Sequence, residues 1–217
     1  MINLNSIIIQ VLGGAGASLL IFFSTLAISL PLGLLMSFPR MSKIKPISYI
    51  FGFVISLLRG TPLMLQLIVW YYGPYYIFGA TLGLSWRVPA IIIGFSINYA
   101  AYFAEIFRSG IQSIPVGQYE AASVLGYSRT QTFFKIVFPQ MLKRVIPPVT
   151  NEIITLVKDT SLAFVITYSE MFTVAKQIAA AKTTIVPLFV AGSFYYIFNY
   201  IVAFVMEKVE KAFNYYK

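Results

Sequence analysis

An all-α fold that crosses a lipid bilayer five times, N-terminus outside and C-terminus inside, is what this sequence predicts. Three observations predict it. The 217 residues are 59% hydrophobic and only 11% charged, with mean hydropathy +0.80, whereas soluble domains sit near half apolar and about a quarter charged. Apolar runs of about 20 residues or more recur along the chain, long enough to cross a hydrocarbon core. The basic residues between these runs collect in alternate connections, as the positive-inside rule requires. The length suits one helical bundle, residues 1–217, without a second globular domain. Cys and His are both absent. Disulfides, thiol catalysis and thiolate metal sites are therefore excluded, and the commonest general base and metal ligand is missing. The formal charge of +9 is accounted for by basic loops, so nucleic acid is not an expected partner. No cleavable signal is evident, because the N-terminus lacks a basic n-region and its apolar run is too long.

The elements follow in order. Ile7–Phe38 is the first span, free of charge, with Pro31 as its expected kink. Gly13-Gly14-Ala15-Gly16 lies inside it and reads as a packing face. Ile47–Phe78 is the second span, unusually long and interrupted at Gly60-Thr61-Pro62. Trp70, Tyr71, Tyr72, Tyr75, Tyr76 and Trp86 crowd the next connection as an aromatic belt. Val88–Phe107, Val145–Tyr168 and Thr184–Met206 complete the set. Arg40, Lys43, Lys45, Arg108, Arg129, Lys135, Lys143, Arg144, Lys208, Lys211 and Lys217 fall on one side of these spans. Only Arg87, Lys176 and Lys182 fall on the other. The first set is placed in the cytoplasm.

Between the third and fourth spans lies a polar island, Val116 to Pro139. Pro115 before it and Gly126 after its first ten residues bracket a short helix. Ser128 and Gln131 form a capping-box pattern opening a second helix, which Pro139 is expected to close. Both pieces are too short and polar to cross a bilayer. Glu120-Ala121-Ala122, Gly126, Ile136 and Pro139 stand at the spacing of the EAA loop, and the segment resembles that of ABC importer permeases. Arg59-Gly60-Thr61-Pro62 with Gln66, and Lys158-Asp159-Thr160-Ser161-Leu162, resemble the branch that takes up polar amino acids. The likeness covers essentially the whole chain. It implies that 116–139 is a cytoplasmic coupling helix pair, with Glu120, Ala121, Ala122 and Gly126 meeting an ATPase subunit.

Charges at membrane depth are costly and mark functional candidates. Arg59, Glu105, Glu152, Lys158 and Asp159 qualify. Asn98, Tyr102 and Glu105 recur at i, i+4 and i+7 on the third span, and Glu152, Thr155 and Asp159 at i, i+3 and i+7 on the fourth. At about 1.5 Å per residue, Glu152 lies roughly 10 Å and Asp159 roughly 20 Å from the cytoplasmic end of the fourth span. Glu105 then shares a level with Glu152, and Asn98 with Asp159. The break in the second span presents a helix start, which Thr61 is placed to cap, and a full charge on Arg59. Such broken helices point their N-termini at substrate carboxylates. Arg59 and Thr61 are the candidates for an α-carboxylate. Glu105, Glu152 and Asp159 are those for an ammonium and a cationic side chain. Gln66 and Ser161 complete the substrate-binding set, while in the resembling family Glu105 and the Lys158-Asp159-Thr160-Ser161 stretch look like general scaffold. The alternative, that Arg59 or Lys158 pairs with an acid simply to hold the bundle, stays open. In the resembling family the residue after Asn151 varies between acid and amide, which makes Glu152 the specificity candidate and a basic amino acid the expected cargo.

The resemblance implies a transport subunit rather than an enzyme. Its expected partners are two cytoplasmic ATP-binding subunits, a second permease copy or paralogue, and an extracytoplasmic solute-binding protein, in a bacterial-type inner membrane. No GxxxxGK[ST] phosphate loop is present, so ATP and Mg²⁺ belong to the ATPase and this chain needs no cofactor or metal. An ion-coupled secondary transporter is the competing function, and would favour repeated halves each with a broken helix. A structural subunit without a pathway is the third, and the two polar stripes speak against it.

Overall fold

The computed structural model describes residues 4–213, which are helical with short connections and contain no strand. Helices α1 (Leu4–Gly13) and α2 (Ala15–Arg40) form one apolar stretch of 37 residues. α2 runs on through Pro31, and the interruption lies instead at Gly14. A Cβ there would stand 2.7 Å from the backbone carbonyl carbon of Glu170, so only glycine admits this crossing. Gly33 plays the same part lower down α2. Its missing Cβ would meet Phe103 Cβ at 2.6 Å and the Ala100 carbonyl oxygen at 2.9 Å.

Those neighbours belong to α5 (Arg87–Gln112), the central helix. Of its most apolar 18 residues, 67% are buried inside the chain, against 28% for Leu4–Arg40 and 6% for α10 (Val186–Phe213). The apolar outer faces of α2 and α10 are left to the hydrocarbon of a bilayer. These three stretches are long and apolar enough to span, among the described residues. A fourth span requires α3 (Lys45–Gly60) and α4 (Leu63–Phe78) to act as one, and they meet at 106°.

The expected fourth span, Val145–Tyr168, is helical as far as Ile166. α8 (Phe138–Asp159) carries Lys143, Arg144, Glu152, Lys158 and Asp159, and is followed by a tight 3₁₀ segment, Thr160–Ile166. Its apolar face, including Met141, Val145, Leu156 and Val157, packs into the main core. A further helix, α9 (Met171–Lys182), occupies what the sequence reading left as a connection. It packs on α1 and α10 through Met171, Ala175 and Ile178.

The polar island forms α6 (Val116–Val124) and α7 (Arg129–Thr132). Gly126 has φ +74°, and Tyr127 N donates to Ala122 O at 3.0 Å, a left-handed helix stop. The Ser128 capping box is present, with Gln131 N to Ser128 Oγ at 3.2 Å and Ser128 N to Gln131 Oε1 at 2.9 Å. Pro139 does not close the second helix. A π-helical turn at Phe133–Val137 leads straight into α8, with Pro139 in the first turn after it. α7 is thus continuous with the helix that carries Glu152 and Asp159.

Candidate functional site

The bend between α3 and α4 sets the geometry. Pro62 has no N–H for the carbonyl of Leu58, and buried carbonyls need partners. Gln66 Nε2 supplies one bond at 2.8 Å and Asn98 Nδ2 another at 3.0 Å. Asn98 also donates to Gln66 Oε1 at 3.2 Å, and Gln66 Nε2 reaches Thr61 Oγ1 at 2.8 Å. Thr61 does not cap the new helix as expected. Pro62 occupies that position without a side-chain bond, and the Thr61 hydroxyl donates back to Leu57 O at 2.8 Å. Three candidate residues, Thr61, Gln66 and Asn98, therefore fix the break by bonding it to α5.

Replacing Gln66 with leucine removes that bridge while keeping bulk. The Leu58 carbonyl keeps only Asn98, whose amide loses its other partner. A cost of about 1–3 kcal/mol is expected, read as a fall of about 2–12 °C in the unfolding midpoint of the detergent-solubilised chain.

Below the bend, Arg59, Tyr102, Glu105, Arg144 and Glu152 line one cavity of about 410 Å³. Tyr102 and Glu105 of the first polar stripe and Glu152 of the second therefore face a shared space, whereas Asn98, Thr155 and Asp159 are not in its lining. Glu105 is already engaged there, with Arg108 Nη2 at 2.6 Å and Arg40 Nε at 3.4 Å. Arg59 lays its guanidinium 5.3 Å from the Tyr102 ring centroid, and Tyr102 Oη donates to Arg59 O at 3.3 Å. Arg59 makes no ion pair with any acid among the described residues, nor does Glu152. Arg144 donates to the Ser113 carbonyl within the same lining.

Asp159 lies outside that cavity's lining and accepts from Tyr99 Oη at 2.7 Å. Tyr99 is a site residue the sequence reading passed over. It adjoins Asn98 in a run of apolar neighbours, where an aromatic ring reads as core. Thr155 and Ser161 bond locally, to Asn151 O at 2.9 Å and Lys158 O at 2.7 Å.

The α6–α7 segment projects apolar side chains. Val124 is 88% and Leu125 71% exposed, while Ala122 is fully buried. Gln140 Nε2 donates to Gln118 Oε1 at 3.2 Å and ties α6 to the base of α8. Partial burial pushes the Tyr119 phenol above its ordinary pKa.

A kinked bundle with an internal polar cavity and a protruding helix pair defines a membrane transport subunit. The chain belongs to the binding-protein-dependent transport system inner membrane components, the family that matches residues 29–215. It is 37% identical to the L-cystine transport system permease protein TcyB of Bacillus subtilis over 188 residues, 85% of this chain and 78% of that one. It is 35% identical to the arginine transport system permease protein ArtQ of the same organism over 202 residues, 93% and 91% of the two chains. Its backbone matches a chain of a crystal structure titled as an amino acid ABC transporter with histidines, with TM-score 0.83, 28% identity and 94% of each chain covered. A chain of the inward-facing MetNI methionine transporter, 19% identical with TM-score 0.72, shares the fold. The likeness to ABC importer permeases and the multi-pass inner-membrane location are borne out.

Proposed function

We propose that the chain forms the translocation pathway for amino acids, basic ones above all, in an ATP-driven importer, and that Glu152 selects the cationic side chain. The cavity carries this reading. Glu105 is held by two arginines, which leaves Glu152 as the lining carboxylate with no ion pair among the described residues. The arginine permease among the relatives supports the class. Asp159 and Tyr99 continue the polar path, and Arg59 stands by for an α-carboxylate.

In this reading five spans place the coupling pair in the cytoplasm. Two ATP-binding subunits there hold ATP and Mg²⁺, a second permease completes the pathway, and a solute-binding protein delivers cargo outside. Substrate binding drives transport only through its difference between inward- and outward-facing states. The ion-coupled alternative gains no support, since the family is binding-protein-dependent and the described residues contain one bent helix pair.

The Glu152→Gln variant tests the site. Losing one charged hydrogen bond partner costs about 1.5–3 kcal/mol, so arginine and lysine uptake is expected to fall on the order of tenfold or more. Glutamine uptake should hold or rise. Arginine uptake unchanged from wild type would refute the assignment.

A further inference from the structure

A second polar cavity, of about 470 Å³, lies where α2 turns into α3 and shares no lining residue with the first. Arg40, Lys45, Ser42 and Ser48 line it together with Tyr49 and Phe53. Its charge is positive in excess. Arg40 shares the single carboxylate of Glu105 with Arg108, and Lys45 has no carboxylate partner among the described residues. Arg40 Nη1 bonds Ser48 Oγ at 3.3 Å and Ser48 Oγ donates to Arg40 O at 2.8 Å, so the arginine is fixed in place. The guanidinium packs over Gly52, where a Cβ would stand 3.1 Å from its central carbon.

The cavity continues into an apolar stripe. Tyr49, Phe53 and Leu57 repeat every fourth residue on one face of α3 and are 75%, 69% and 50% exposed. That stripe runs about 12 Å along the helix from the cationic cup. A cup of cations and hydroxyls joined to a lipid-facing apolar track fits one kind of ligand, with an anionic head and a hydrocarbon tail. We infer that this site binds an anionic phospholipid, its phosphate between Arg40, Lys45 and Ser42 and one acyl chain along Tyr49, Phe53 and Leu57. A free phosphate would use the cup alone. The bound lipid would brace the α2–α3 turn, and through Arg40 the Glu105 cluster.

Native mass spectrometry of the delipidated full-length chain decides it. The chain is given phosphatidylglycerol or phosphatidylcholine with the same acyl chains, or inorganic phosphate. Phosphatidylglycerol should be retained in preference to phosphatidylcholine. Lys45→Gln should lower that retention about fivefold, and Lys45→Arg should restore it. Phe53→Ala should weaken retention of phosphatidylglycerol, and Lys182→Gln, far along the chain on α9, should leave it intact. Equal retention of the two lipids would overturn the proposal, as would wild-type retention by Lys45→Gln or an equal loss in Lys182→Gln. Displacement of phosphatidylglycerol by equimolar inorganic phosphate would reassign the cup to a free anion and overturn it too.

Discussion

Leu125→Asp should disconnect uptake from ATP without unfolding the chain. Leu125 is 71% exposed and Val124 beside it 88%. Neither supports the fold's own core, so the unfolding midpoint should stay within the small range typical of surface substitutions. On the proposed coupling role these side chains are buried in the ATPase. Central apolar anchors of such interfaces carry about 2–4 kcal/mol each. A buried, unpaired carboxylate adds a desolvation cost. Association with the ATPase, and uptake with it, should drop roughly a hundredfold or more. Lys182→Gln, at an exposed position of α9 outside this segment, supplies the control and should transport nearly normally. Co-purification with the ATPase and proteoliposome uptake measure both variants. A Leu125→Asp chain that still co-purifies would separate this segment from coupling.

The continuity of α7, the π turn and α8, with α6 tied to it by side chains, gives that coupling a physical route. A push on the helix pair acts at the base of the same helix that bears Glu152 and Asp159. Gln140 on α8, bonded to Gln118 on α6, stiffens the corner. The sequence could not disclose this. Pro139 signals a helix end or a helix beginning with equal force, and only the π turn before it decides which.

Other features were legible for reasons that do not depend on tertiary context. Apolar runs, the Ser128 capping box and the Gly126 stop are local, and they appear where expected. The break at Thr61-Pro62 was legible because proline lacks a donor wherever it stands. The partners of the freed Leu58 carbonyl were not, since Asn98 arrives from forty residues away. Asn98, Tyr102 and Glu105 announced themselves as a polar stripe. Tyr99 did not, although its hydroxyl holds Asp159. The engagement of Glu105 by Arg40 and Arg108 is equally non-local in part, and it changes which carboxylate is left for cargo.

Glu170→Ala is expected to cause the largest loss of stability. The side chain is fully buried and ionisable. Its Oε1 accepts from Thr173 N at 2.6 Å and Thr173 Oγ1 at 2.8 Å. Its Oε2 accepts from Phe172 N and from Tyr195 Oη, both at 2.7 Å. It thereby satisfies the first amides of α9 and binds that helix to α10, while Gly14 of the α1–α2 crossing presses on its backbone. Glutamate is not a favoured cap residue, which is why the sequence reading left α9 as a connection. Alanine strands two amides and two hydroxyls in a buried site. Each costs about 1–3 kcal/mol less whatever water can recover, so a net 3–5 kcal/mol is reasonable for a severed buried network. At about 2–4 °C per kcal/mol for a chain this size, the midpoint should fall roughly 6–20 °C. Glu170→Gln keeps an acceptor at Oε1 but turns a donor on Phe172 N or Tyr195, so it should lie between alanine and wild type. Proteolysis should open first at Lys176 and Lys182 of α9. If Glu170→Ala melts within a degree or so of wild type, α9 is held by its apolar face alone.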